Sequence, residues 1–146
     1  MNDIKQHLQV RAPAPDWFHR AIKQQPESRH VNVEGCPIHY LLWQPLKGVE
    51  NPAGLLFLHG GGAHAYWWGH IAPFFRANFR VAAMDISGMG DSGKRAEYNA
   101  TIRTEEIHAV MCFAFTNEIP KTIKELDLLS KDAFLQSAQR LSLIHI

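Results

Sequence analysis

The stretch Leu55 to Ser92, LLFLHGGGAHAYWWGHIAPFFRANFRVAAMDISGMGDS, limits the possible folds more than any other part of the chain. Leu55 to Leu58 is a continuous apolar run that stops at His59-Gly60-Gly61-Gly62. Phe79 to Ile86 is a second run, broken by Arg80 and Asp85, and it stops at Ser87-Gly88-Met89-Gly90. Short apolar runs without alternation, bounded by glycine, suit strands covered on both faces. Between them, Tyr66 to Asn78 has the length and periodicity of a helix. Strand, helix and strand make a crossover unit, whose strands should run parallel. Both glycine loops then fall at the carboxyl ends of the strands, where the functional loops of α/β sheets gather.

The flanking segments fit such a sheet. Ala12-Pro13-Ala14-Pro15 is an extended lead-in, and Asp16 stands as an N-cap for a short helix through Lys23, with Trp17, Phe18 and Ile22 as its apolar face. A lid or partner-docking segment is the other reading of that helix. Ser28 to Val33 and Ile38 to Trp43 alternate polar and apolar residues around the turn signal Glu34-Gly35, which predicts an antiparallel edge hairpin. Downstream, Thr101 or Thr104 is placed to cap a helix, with Glu105 and Glu106 favourable for its dipole and Ile107, Val110, Met111 and Phe115 forming a core-facing stripe. Glu118 to Ile123 reads as the start of a fifth strand.

Two motifs in order make the chain resemble the α/β-hydrolase family. His59-Gly60-Gly61-Gly62 is similar to that family's HG-x-x oxyanion loop after its third strand, and Asp85-Ile86-Ser87-Gly88-Met89-Gly90-Asp91-Ser92 to its D-x-x-G-x-G-x-S loop after the fourth. The resemblance runs from about Asp16 to about Phe115 and implies an α/β fold: the N-terminal part of a hydrolase sheet, with an antiparallel edge hairpin followed by parallel strands and crossover helices. It further implies that Gly61 or Gly62 supplies one backbone N–H of an oxyanion hole, supported by His59 and Gly60. His64, Trp67 and Trp68 are pocket candidates; one of the two indoles packs inward and the other lines the pocket, or both brace the helix on the sheet. Asp85, Ser87, Gly88 and Gly90 form the second loop, in which Asp85 accepts backbone N–H groups rather than serving as the catalytic acid. A bare structural glycine turn is the alternative for the first loop. A phosphate cradle lacks support, because no G-x-x-x-x-G-K-[ST] pattern follows.

The pattern then departs from the family. After Ile123 a G-x-S-x-G nucleophile turn should appear, yet KELDLLSKDAFLQSAQRLSLIHI contains no glycine, and neither Ser130 nor Ser137 fits that tight turn. Ser87 and Ser92 also lie outside it. Leu141 to Ile146 is what the codons ctg tct ctt ata cac atc encode, and those bases look like the end of a transposon-type sequencing-library adaptor. The division expected is therefore residues 1–123 as the N-terminal part of a hydrolase domain, 124–140 as an uncertain or frameshifted continuation of helical character, and 141–146 as an adaptor-derived tail set aside from the fold. With the fifth strand damaged, the apolar edge of the third should lie open and promote self-association.

Composition narrows the function. Fifteen basic against fourteen acidic residues, without a basic run, leave no electrostatic footprint for nucleic acid. MNDIKQHLQV has no apolar core of signal-peptide length and no stretch approaches the ~20 apolar residues of a membrane span, so no membrane partner and a cytoplasmic location are expected. Cys36 and Cys112 lack metal or redox spacing and read as reduced thiols. His59, His64 and His70 do not form an H-x-x-x-H pair, so neither a metal nor another cofactor is implied. The resemblance implies a fragment of a serine-type hydrolase of esters or related carbonyl substrates, small and largely apolar, with nucleophile, acid and base all in a missing part. The alternatives are a fragment of an epoxide hydrolase or dehalogenase with an Asp nucleophile, against which Gly62 leans by replacing the proline of an H-G-x-P loop, and a short non-catalytic binding protein of the same fold.

Overall fold

A computed structural model of the protein describes residues 13–115 and the backbone of Leu141–His145. In chain order it contains helix α1 (Asp16–Ile22), strands β1 (Glu27–Val33), β2 (Cys36–Trp43) and β3 (Ala53–Leu58), two 3-10 segments (Ala65–His70 and Ala72–Ala77), β4 (Phe79–Met84), helix α2 (Ala100–Phe115) and β5 (Leu141–His145). The strands form a mixed sheet in the order β1-β2-β4-β3-β5.

The hairpin β1–β2 is antiparallel and occupies one edge, as its alternation predicts. Its turn places Glu34 at φ 48° and Gly35 at φ 79°, two consecutive left-handed residues of the kind that match the twist of a hairpin. β3 and β4 pair in parallel, with Leu58 opposite Met84 at their tips, so both glycine loops leave from one rim.

Both faces of the central strands are covered. On one face Ile38, Leu56, Leu58, Ala82 and Met84 pack with Val110 and Ala114 of α2. On the other, Leu41, Trp43, Leu55, Phe57 and Val81 pack with Ala65, Trp68 and Ala72 of the 3-10 segments. Burial of each large apolar side chain in such a layer stabilises the fold by about 1.5–3 kcal/mol. The two-sided cover explains why β3 and β4 read as unalternated apolar runs.

Four expectations need correction. The crossover is not an α-helix over Tyr66–Asn78 but two 3-10 segments meeting at Ile71. Pro73, at the start of the second segment, has no N–H to give and its ring crowds the preceding turn, and Gly69 lowers helix propensity just before it. In α1 the N-cap position belongs to Pro15, with Asp16 as the first helical residue, and only Ala21 is fully buried; Trp17 and Ile22 are exposed. In α2 the cap is Asn99 rather than Thr101 or Thr104, its Oδ1 accepting the Ile102 N–H at 2.9 Å. Lastly, the far edge of β3 is not open. Leu141–His145, which the nucleotide argument set aside, runs parallel to β3 with Gly54 opposite Leu141 and Leu58 opposite His145. An apolar segment can join a ladder whose bonds are all main-chain, whatever the origin of its codons. The expected fifth strand at Glu118–Ile123 and the helix at Lys124–Leu135 lie outside the described residues.

Candidate active-site rim

Asp85 follows directly on β4 and is fully buried. Its Oδ1 accepts the Ala65 N–H at 2.6 Å, and its Oδ2 accepts the Asp91 N–H at 3.0 Å and the His39 Nδ1–H at 2.7 Å. One carboxylate thus ties together the crossover, the second glycine loop and the hairpin. Burial opposes its charge, but the His39 hydrogen bond and the two backbone amides outweigh that, so the carboxyl is held below the ordinary aspartate value of 3.8. A carboxyl whose pKa is lower folded than unfolded adds stability at pH values above its unfolded pKa, and this is lost as pH falls through the folded value. Urea unfolding followed between pH 6 and pH 2 should therefore show stability falling below about pH 4, with a flatter acid limb in Asp85→Asn.

The main chain around Asp85 is equally tied. Ser92 Oγ donates to the Asp85 carbonyl at 2.6 Å and accepts the His39 N–H at 2.8 Å. Gly93 N–H donates to Pro37 O and Gly88 N–H to Gly93 O, each at 2.7 Å, so the loop closes on itself against the hairpin. Gly90 has φ +51°, and a Cβ there would stand 2.2 Å from Asp85 Cγ. Glycine is needed because the loop wraps the carboxylate it binds.

Ser87 is buried, with its N–H donated to Glu106 Oε2 at 3.1 Å and its Oγ receiving Arg103 Nη1 at 3.2 Å. Glu106 is not a solvated partner of the helix dipole, as its place in the first turns of α2 had implied. It is fully buried and pairs with Arg95 at 2.8 Å. Arg95 reaches on to Val33 O at 2.7 Å, and Arg103 stacks over Tyr98 at 5.1 Å from the ring centre. Gly88, at φ +82°, lies against that same tyrosine, whose hydroxyl would be 2.7 Å from an added Cβ.

On the first loop, His59 is buried under the turn. Its Nδ1–H donates to Gly60 O at 2.8 Å and its Nε2 accepts the Ile86 N–H at 3.3 Å, a pairing that requires the neutral ring and links the two loops. Ala63 N–H closes a β-turn onto Gly60 O at 3.2 Å, with Gly62 at φ +76° as its third residue. Gly61 and Gly62 are exposed, and among the described residues neither amide has a hydrogen-bond partner. Trp68 turns inward and stacks on Phe57 at 4.6 Å, whereas Trp67 is 63% exposed. His64 is half-buried, its ring 6.0 Å from Tyr66.

Sequence reasoning missed His39, Arg95 and Arg103, and gave Glu106 only a part in the helix dipole. Only their positions in space, next to Asp85 and Ser87, give them a part. Among the described residues His39, Asp85 and Asp91 lie close enough to share a cation. The His39 Nδ1–H and Asp91 N–H bonds already occupy Asp85 Oδ2, however, so the group works as a hydrogen-bonded knot. A cavity of about 230 Å³ opens between α1, β2 and the first 3-10 segment, lined by Phe18, Ile22, Trp43, Tyr66 and His70. No helix among the described residues is long and apolar enough to cross a membrane.

A mixed sheet with two glycine loops on one rim agrees with the fold that the motif resemblance implies. The family model described as the alpha/beta hydrolase fold matches residues 55–135, and the chain belongs to that family. It is 29% identical over 109 residues to coelenterazine h 2-monooxygenase of Renilla reniformis, covering 75% of this chain and 31% of that protein. It is 33% identical over 84 residues to the 2-hydroxy-6-oxo-6-(2'-aminophenyl)hexa-2,4-dienoic acid hydrolase of Metapseudomonas resinovorans, covering 55% of this chain and 27% of that one. In fold it is similar to an epoxide hydrolase of Vigna radiata, with TM-score 0.54 and 24% identity over 67% of this chain and 31% of the other. The chain thus spans about a third of the length of the curated relatives it matches.

Proposed function

We propose that residues 1–146 carry the oxyanion side of a hydrolase active site for an ester or related carbonyl substrate, and that nucleophile, base and acid belong to a longer parent protein. The observation that carries this reading is the pair of exposed glycines Gly61 and Gly62, whose amides have no partner among the described residues, on a turn joined to His59 through Gly60 and on the same rim as the Asp85 loop. A backbone donor aimed at the oxygen where negative charge develops is worth roughly 3–4 kcal/mol in the transition state. The glycines leave room for a substrate to reach those amides, since nothing lies within 4 Å of a Cβ placed at either residue.

Ser87 takes no part as nucleophile, being buried and bonded to Arg103. No G-x-S-x-G occurs in the sequence. Residues 1–146 should therefore give no multiple turnover of nitrophenyl esters, while the gene product read through the DNA beyond the Arg140 codon, with a strand ending in G-x-S-x-G, should. In that longer protein Gly61→Pro removes one amide at a turn position that favours proline, and kcat should fall by about 10²–10³-fold if Gly61 is the donor; an unchanged kcat leaves Gly62. Multiple turnover by residues 1–146 that a single substitution within them abolishes would overturn the reading. A parent strand ending in G-x-D-x-x would move the assignment to the Asp-nucleophile branch.

A further inference from the structure

One hydrogen-bonded relay lies apart from the glycine-loop amides. Ser28 on β1 and His39 on β2 share the sheet face that carries the 3-10 segments. Ser28 Oγ stands 2.9 Å from His39 Nε2, and His39 Nδ1 stands 2.7 Å from Asp85 Oδ2. Asp85 and His39 are fully buried, whereas Ser28 is exposed to solvent. We propose that Ser28 is a nucleophile that accepts an acyl group from small activated esters, with His39 as its base and Asp85 as the group that orients His39.

The order of protons along the relay is the one such chemistry needs. Asp85 is an ionised acceptor, its carboxyl held below the ordinary range against burial by His39 and two backbone amides. With a proton on Nδ1 toward the Asp85 carboxylate, the neutral His39 ring turns its Nε2 lone pair to the serine hydroxyl. The ring is buried and held on Asp85 through Nδ1. It is stacked on Tyr66 at 5.9 Å, flanked by His30 at 5.0 Å, and its own backbone N–H is fixed on Ser92. A base held in one orientation within hydrogen-bond reach of a hydroxyl is the arrangement that activates serine. His30 and Tyr66 crowd the approach and favour a small acyl group.

In the proposed step Ser28 Oγ forms a bond to the acyl carbon as that carbon's bond to the aryl oxygen breaks. The hydroxyl proton passes to His39 Nε2 and from there to the departing phenolate, leaving an acyl-serine and a phenol. β1 is an edge strand, whose outward amides are single donors spaced along the strand rather than a converging pair. The acyl-serine should accordingly hydrolyse slowly, so that the reaction stops near one equivalent. This proposal does not rest on the oxyanion reading, because neither Gly61 nor Gly62 takes part in it.

The test uses the whole chain with p-nitrophenyl acetate. The expected result is a burst of nitrophenolate approaching one equivalent, with the acetyl group mapped by mass spectrometry to the peptide bearing Ser28. Ser28 is exposed, so water can take the place of its hydroxyl at His39 Nε2; Ser28→Ala should keep the circular-dichroism spectrum and slow acylation by about 10²-fold or more. Ser28→Cys should restore a burst through a thioester. A serine that merely satisfies a buried histidine would be acetylated no faster than other exposed serines. No burst, acetylation elsewhere, or a burst unchanged in Ser28→Ala would each overturn the proposal while leaving the Gly61–Gly62 reading intact.

Discussion

Asp85→Ala is expected to lower the unfolding free energy by about 3–5 kcal/mol, because it strips the acceptor from several buried donors at once. The Ala65 amide and the His39 Nδ1–H are both interior, and water reaches them only by opening the core. Each such orphaned group costs about 1–3 kcal/mol. The Asp91 amide is part-buried and recovers a water more easily, and removal of the buried charge returns part of the loss. Urea titration followed by tryptophan fluorescence measures the change, since Trp68 packs on Phe57 close to the affected Ala65. A loss under about 1 kcal/mol would mean that solvent or a shifted side chain replaces the carboxylate.

Gly90→Ala should cost nearly as much for a different reason. The added methyl would lie 2.3 Å from both carboxylate oxygens of Asp85, in a residue at φ +51°. The left-handed backbone alone costs a non-glycine residue about 1–2 kcal/mol. The clash adds about 1–3 kcal/mol, as overpacking does, because the carboxylate cannot withdraw without releasing Ala65 and His39. The two substitutions should be strongly non-additive. With Ala at position 85 the three atoms nearest the new methyl are gone, so Gly90→Ala in that background should cost mainly the backbone contribution. Equal costs in both backgrounds would show that the loop accommodates the methyl by moving away, leaving the carboxylate in place.

The fold was largely legible because its signals are local. Glu34-Gly35 between two alternating runs defines a hairpin by itself, and unalternated apolar runs ending in glycine mark β3 and β4. The crossover departs from its helical apolar spacing because Pro73 and Gly69 act against a regular helix, and the tighter 3-10 turns keep Ala65, Trp68 and Ala72 on the sheet. Most of the rim was not legible. The sequence marks Asp85 as a loop-holding acid, but its histidine partner lies 46 residues away, and the Arg95 contact to Val33 spans 62. No periodicity or motif encodes such pairs. Glu106 was misplaced for the same reason: the first turns of a helix suit an acidic residue whether it faces water or a buried arginine. β5 escapes the sequence reading because its residues are set aside on their codons, whereas main-chain pairing with β3 depends only on their extended backbone.

β3 sends Leu56 and Leu58 to one layer and Leu55 and Phe57 to the other. Sliding it by one residue against β4 would exchange two greasy sets of similar bulk, so hydrophobicity alone hardly selects the alignment. The polar links at the tips do. An offset of one residue moves a tip by about 3.3 Å, enough to break the Ile86 bond to His59 and the Ala65 bond to Asp85 together. Histidine and aspartate thus act as a vernier stop for the parallel pair, and the spacing between the two glycine loops is inherited from that stop.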